Sequence, residues 1–130
     1  MENELIYLDS SVLIAYFRKT EKSNSFLFQL SQNHQYFAVS VVVYFEVLKG
    51  SNADQDTFWH TFFENVEILP LTKEIIETTI NLHRNFRKKR KTSDAMDLLI
   101  ASTAKFHGLK LATLNSKHFT HFNDLEIVER

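Results

Sequence analysis

Short β-prone runs punctuate this chain, and the stretches between them carry helical periodicity. The runs are "ELIYLD", "QYFAVS", "VEILPL" and "LKLATLN", with "DLEIVE" as a fifth near the end. Strands that alternate with helices in this way build a parallel sheet joined by crossover helices, with helices on both faces. The sequence therefore predicts an α/β fold, a three-layer α/β/α sandwich around a mainly parallel sheet of four to five strands. The whole chain, 1–130, reads as a single domain, since 130 residues supply one core and not comfortably two. In open sheets of this kind, ligands sit at the carboxyl ends of the strands.

The helices follow from local signals. "SVLIAYFRK" comes directly after the first strand, with Ser10 or Ser11 as the expected N-cap. "SNSFLFQLSQ" places Phe26, Leu27 and Leu30 on one face. "VVVYFEVLKG" has three valines that favour a strand, but Ser40 before it and Gly50 after it favour a helix, and the helix is taken. "QDTFWHTFFEN" sets Phe58, Trp59, Phe62 and Phe63 at helical spacing. "TKEIIETTINLHRNFRKKR" carries the stripe Ile75, Ile76, Thr79, Leu82, His83 and Phe86, with a basic last turn that suits the negative end of a helix dipole. One more helix opens within "TSDAMDLLIAS" and runs to Gly108.

Totals exclude several classes. There are no cysteines, so disulfides and thiolate metal sites are ruled out. The net charge of -1 gives no overall attraction to nucleic acid, so any such affinity needs a local patch. "MENELIYLDS" lacks the basic-then-apolar pattern of a signal peptide, and no apolar run has the length of a membrane span. A soluble cytoplasmic protein is expected.

The informative residues are acids in apolar company. Asp9 falls at the carboxyl end of the first strand, where a capping role competes with chemistry. Glu46 stands inside "VVVYFEVL", where a buried carboxylate needs a partner or a metal. With Asp94 as N-cap, Asp97 becomes the third residue of its helix and points along the Ala101–Ala104 side toward the strand ends. Asn115 is expected to close the fourth strand at the same rim as Asp9. Carboxylates gathered in one cleft repel each other, and hard cations with oxygen ligands, Mg²⁺ or Mn²⁺, relieve that repulsion.

The blocks "YLDSSVLIAYF", "SVVVYFEVLKG", "DLLIASTAKFHGLKLATLN" and "KHF" together resemble the PIN domain family, and more narrowly its small ribonuclease toxins of VapC type. The resemblance spans essentially the whole chain, in order. It implies a metal-dependent endoribonuclease, the toxin of a toxin–antitoxin pair, with Mg²⁺ or Mn²⁺ as cofactor, RNA as substrate, a cognate antitoxin as partner and a homodimeric assembly. Asp9, Glu46 and Asp97 match the family's acids and become the implied metal ligands. Asn115 matches a fourth position that many members fill with Asp, and His118 stands where an Asp is frequent. Asp94 matches no site acid. The alternative is a PIN-like domain that binds RNA or a protein without cutting, which the missing fourth acid permits.

Two further features bear on partners. Arg84 with Arg87, Lys88, Lys89, Arg90 and Lys91 forms the densest charge, either a solvated helix end or a contact to RNA backbone, with Ser11 as a further phosphate contact. The aromatics of "QDTFWHTFFEN" belong to the core or to an antitoxin surface. A zinc site at His118 and His121 lacks a third ligand. A phospho-receiver domain lacks its acidic pair and its late lysine here.

Overall fold

A computed structural model describes residues 4–130; the leading "MEN" of the acidic start lies outside the described residues. The strands are β1 (Leu5–Leu8), β2 (Tyr36–Ser40), β3 (Glu67–Leu69), β4 (Lys110–Ala112) and β5 (Ile127–Val128). They form one five-stranded sheet in the order β3-β2-β1-β4-β5, and every pairing is parallel. The α/β sequence reading therefore holds. Strands of a parallel sheet are covered on both faces, so they read as unbroken apolar runs rather than alternating ones. β1 shows this, with Ile6, Tyr7 and Leu8 all 0% exposed.

The helices are α1 (Ser10–Arg18), α2 (Phe26–Ser31), α3 (Val41–Lys49), α4 (Ala53–Phe63), α5 (Lys73–Lys88) and α6 (Ala95–His107). α1 packs on α2 and α3, and α5 packs on α6; with the right-handed crossovers usual for parallel strands, the helices before β3 cover one face and those after it the other. Each helix starts on a side chain that satisfies an otherwise orphaned N–H. Ser40 accepts from Val43, Thr72 from Ile75, and Asn52 forms a capping box with Gln55. The three valines at the start of α3 stay helical because Ser40 caps them and Val42 and Val43 find the core.

Three local expectations shift. Asp9, not Ser10 or Ser11, caps α1, because its carboxylate accepts the Ser10 N–H. α2 is shorter than its sequence pattern, since a 3₁₀ turn at Lys22–Asn24 precedes it and Ser25 is its cap. β4 ends at Ala112, three residues before Asn115, because its pairing with both neighbours stops there. The chain reverses at two left-handed residues. Gly108 (φ 65°) closes α6, with Leu109 N–H donating back to Ala104. Arg90 (φ 56°) does the same for α5 with the Lys91 N–H donated to Phe86.

The sheet order fixes where a site can form. From β1 the chain winds outward through β2 to β3, then returns to β4 on the other side of β1. The β1–β4 crevice is thus the point where winding reverses, and ligands bind at its carboxyl end in such sheets. Leu8 pairs with Ala112 at the last register position, so Asp9 and Thr113 emerge there side by side.

Candidate active site

Asp9 is 5% exposed. A carboxylate so far from water costs several kcal/mol unless its oxygens are hydrogen-bonded. Oδ1 accepts the Ser10 backbone N–H at 2.8 Å. Oδ2 accepts the Ser11 hydroxyl at 2.8 Å and the Thr113 hydroxyl at 2.7 Å. Each hydroxyl is held from behind by a backbone donor: Leu114 N–H to Ser11 Oγ at 3.1 Å, and Asn115 N–H to Thr113 Oγ1 at 3.0 Å. A hydroxyl has one proton to give, so both are committed to Asp9. Bonds to a charged acceptor contribute about 1.5–3 kcal/mol each, and together they offset the burial.

Ser10 connects Asp9 to a second acid. Its hydroxyl lies 3.0 Å from Glu46 Oε1 and 3.5 Å from Asp9 Oδ1, so its single proton goes to Glu46. Glu46 is half-buried on α3. Burial raises its pKa above the usual carboxylate range; the Ser10 bond lowers it, Asp9 raises it again and Lys49 opposes Asp9.

Asp97 is the third residue of α6. Burial pushes its pKa up to about 6; His118 lowers it, and Asp94, Asp9 and Glu46 raise it. His118 Nδ1 stands 3.5 Å from Asp97 Oδ2. The three acids, from the β1–α1 junction, α3 and α6, therefore sit within electrostatic reach of one another. Asp94 is different. It is exposed, and its carboxylate accepts the Met96 N–H at 2.7 Å as the cap of α6.

Asn115 is exposed and opens a 3₁₀ turn (Ser116–Phe119) without a side-chain cap bond. It is the Asn115 backbone, rather than its side chain, that bonds the Asp9 network. Ser11 is spent on Asp9 and Leu114. Of the basic run, Lys89 and Lys91 line a cavity with Lys105, which is eight residues beyond Asp97 along α6 and so about 12 Å away at 1.5 Å per residue. His118 and His121 have different partners, Asp97 for the first and the Phe86 ring for the second. Sequence reasoning missed Ser10 and Thr113. The available signal for Thr113 was its place as the first polar residue after "LKLA", beside the end of β1.

Among the described residues no three His, Asp or Glu side chains form a ready group for a metal. The donor set is nonetheless all oxygen and carries excess negative charge, which adds to burial in raising the Asp97 pKa. Mg²⁺ commonly takes one or two carboxylates and completes its shell with water. The residues present fit such an ion.

An α/β domain with acids at the sheet's winding reversal defines a class of small acidic-site domains, and the sequence comparison assigns it. The chain belongs to the PIN domain family, whose pattern matches residues 6–125. It is 32% identical over 124 residues to Ribonuclease VapC1 of Methanocaldococcus jannaschii, covering 95% of this chain and 85% of that one. It is 31% identical over 123 residues to Ribonuclease VapC10 of Mycobacterium tuberculosis, covering 94% and 91%. Among solved structures, VapBC2 from Rickettsia felis bound to a promoter DNA fragment aligns with a TM-score of 0.83 at 23% identity, over 97% of this chain and 98% of that one. The parallel sheet and its connections are those of that fold.

Proposed function

We propose that this chain is an endoribonuclease that uses Mg²⁺ or Mn²⁺ and acts as the toxin of a toxin–antitoxin pair in the cytoplasm. The observation that supports it most is the convergence of Asp9, Glu46 and Asp97, from three separate elements, on the crevice where sheet winding reverses. The ribonuclease names of its relatives point the same way. Asp9 and Asp97 would hold the ion directly, and Glu46 through water. A bound divalent ion lowers the pKa of a ligated water and neutralises charge on the phosphate.

The chain's own residues do the rest. Ser11 and Thr113 hold Asp9 Oδ2, and the Ser10 N–H holds Oδ1, which fixes the carboxylate in one orientation. Glu46, with its raised pKa, is placed to take a proton from the attacking water. Asn115, exposed at the rim, orients water or phosphate. The basic residues Arg84, Arg87, Lys88, Lys89, Arg90 and Lys91 would engage the RNA backbone at a distance from the acids, with Lys89 and Lys91 beside Lys105 at the far half of α6. The antitoxin would lie across α1 and α4, where a groove lined by Phe17, Arg18, Gly50 and Trp59 leads to Glu46. A homodimer would use the apolar face of α5 and α6, where Ile76 and Ile80 are exposed. No helix among the described residues is long and apolar enough to cross a membrane.

The test is end-mapping of total RNA after incubation with the purified chain. Cleavage is expected with Mg²⁺ or Mn²⁺ and not in EDTA. Asp9→Asn and Asp97→Asn should abolish it, while Asp94→Asn should retain activity within several-fold. Cleavage that persists in EDTA would falsify the metal assignment. Tight RNA binding without any cleavage would favour the non-cutting alternative, which the exposed Asn115 and the His118 at an acid's position permit.

A further inference from the structure

A cavity of about 120 Å³ lies between the second half of α5, the far end of α6 and residues 121–125. Phe86 and Phe122 lie at its base, both buried, with ring centroids 5.0 Å apart and the rings tilted by 55°. The His121 ring stands edge-on to Phe86 at 6.1 Å. Its rim is cationic, with Lys89, Lys91 and Lys105. Asn85 and Asn123 add amide donors and acceptors. One acid, Asp124, is on the rim, 3.9 Å from Lys105 with both side chains exposed. Exposed pairs of this kind contribute little, so Lys105 can change partners at small cost.

These parts match one ligand chemistry. An apolar cleft between tilted rings accepts the edge of a base, lysines neutralise phosphate, and amides hydrogen-bond base edges. An acidic peptide would engage the lysines and leave the rings and the amides unused. We infer that this cavity is a second binding site for a single nucleotide unit, with one edge of the base against the tilted Phe86 and Phe122 rings and the phosphate outside among Lys89, Lys91 and Lys105. Along α6 it lies about 12 Å from Asp97. As a subsite for an RNA strand it rests on the ribonuclease reading above; a free nucleotide carries the same chemistry.

The full chain in EDTA is titrated with a labelled single-stranded RNA decamer, with AMP and UMP, and with a polyglutamate decamer. It is compared with the Lys89→Gln/Lys91→Gln/Lys105→Gln variant. The variant should bind the RNA about tenfold more weakly, with the slope of log Kd against log salt reduced by about one. The His121 ring resonances should move on addition of RNA or of the nucleotides. A strand bound far more tightly than AMP or UMP identifies RNA as the source, and comparable affinities identify free nucleotide; both support the site. If the triple variant melts early, Asn123→Asp, which adds like charge at the exposed rim, replaces it with the same expected weakening. Equal RNA affinity in variant and wild type, or displacement of RNA by polyglutamate as effective as by nucleotide, overturns the inference. The two readings fail separately. A wild-type chain that cuts RNA while the variant binds normally overturns the pocket alone. A chain that never cuts but loses RNA on substitution overturns the nuclease alone.

Discussion

Thr113 gives its proton to Asp9 and takes the Asn115 N–H in return, so it ties the first acid to the turn that follows β4. Thr113→Val preserves the shape and removes the donor. One oxygen of a buried carboxylate then loses a partner while its charge remains. Partners that orient a metal ligand typically matter 10–100-fold in metal affinity or activity, and a loss of that size in Mg²⁺-dependent cleavage is expected. Serine at the same position should restore most of it. Activity unchanged in Thr113→Val would mean that Ser11 and Ser10 hold Asp9 unaided. Tyr7 is the opposite case. Its ring is fully buried, and burial drives its pKa far upward, so it stays neutral. Its hydroxyl is near enough to Ser40 and Thr103 to interact with both, yet neither gives it a well-aligned hydrogen bond. Ser40 accepts the Val43 N–H and Thr103 donates to Leu99. With no aligned partner to lose, Tyr7→Phe should change urea stability by less than about 1 kcal/mol, on the stabilising side. A loss above about 2 kcal/mol would show that the hydroxyl is bonded after all.

Lys22 governs the end of α1. Its ammonium donates to the carbonyls of Tyr16, Phe17 and Lys19 at 2.7–2.8 Å. These are carbonyls that a helix end leaves without partners, and the positive charge suits the negative end of the dipole. The same group stands 5.1 Å from the Tyr16 ring centroid and 6.0 Å from that of Phe58 in α4. Lys22→Met keeps the stem and removes the charge. A loss of about 2 kcal/mol is expected, lowering Tm by roughly 5–10 °C, with metal binding untouched; an unchanged melt would count against the cap. The elements themselves were largely legible. Helix starts were readable where a cap precedes an apolar pattern, which is how Asp94 and Asp97 were told apart. What resisted reading was contact across the sheet. Asp9 and Thr113 are 104 residues apart in the chain, and only the β1–β4 register makes them neighbours. Asn115 was placed at the strand end because "LKLATLN" is uniformly β-prone. The strand stops at Ala112, where its register with β1 and β5 ends, and the Thr113 side chain bonds Asp9. Lys22, in a polar stretch with no periodicity, gave no signal at all.

At the scale of the whole molecule, the fold gathers like charges and bears the cost. The position of Asp97 in the first turn of α6 contributes roughly 0.3–1 kcal/mol in its favour. Burial and the facing Asp94, Asp9 and Glu46 outweigh that, since its pKa rises from 3.8 to about 6 despite His118. Between about pH 4 and pH 6 the folded chain keeps a proton that the unfolded chain has released. Raising pH through this window therefore removes stability, and above about pH 6 the loss is complete. Two units correspond to about 2.7 kcal/mol at most, which solvent screening of a partly exposed side chain reduces to about 1 kcal/mol. Asp97→Asn abolishes that charge. Without metal, the variant should melt roughly 3–5 °C above the wild type at pH 7.5, and the two should converge near pH 4. Divalent cation reverses the order. Binding to the folded state alone stabilises by RT ln(1 + [L]/Kd), about 1.4 kcal/mol at ten times Kd, so Mg²⁺ or Mn²⁺ should raise the wild-type Tm and leave Asp97→Asn nearly unmoved. A wild type indifferent to the cation, or a variant that melts lower than wild type in EDTA at pH 7.5, would mean that the acids are held together for some purpose other than a metal.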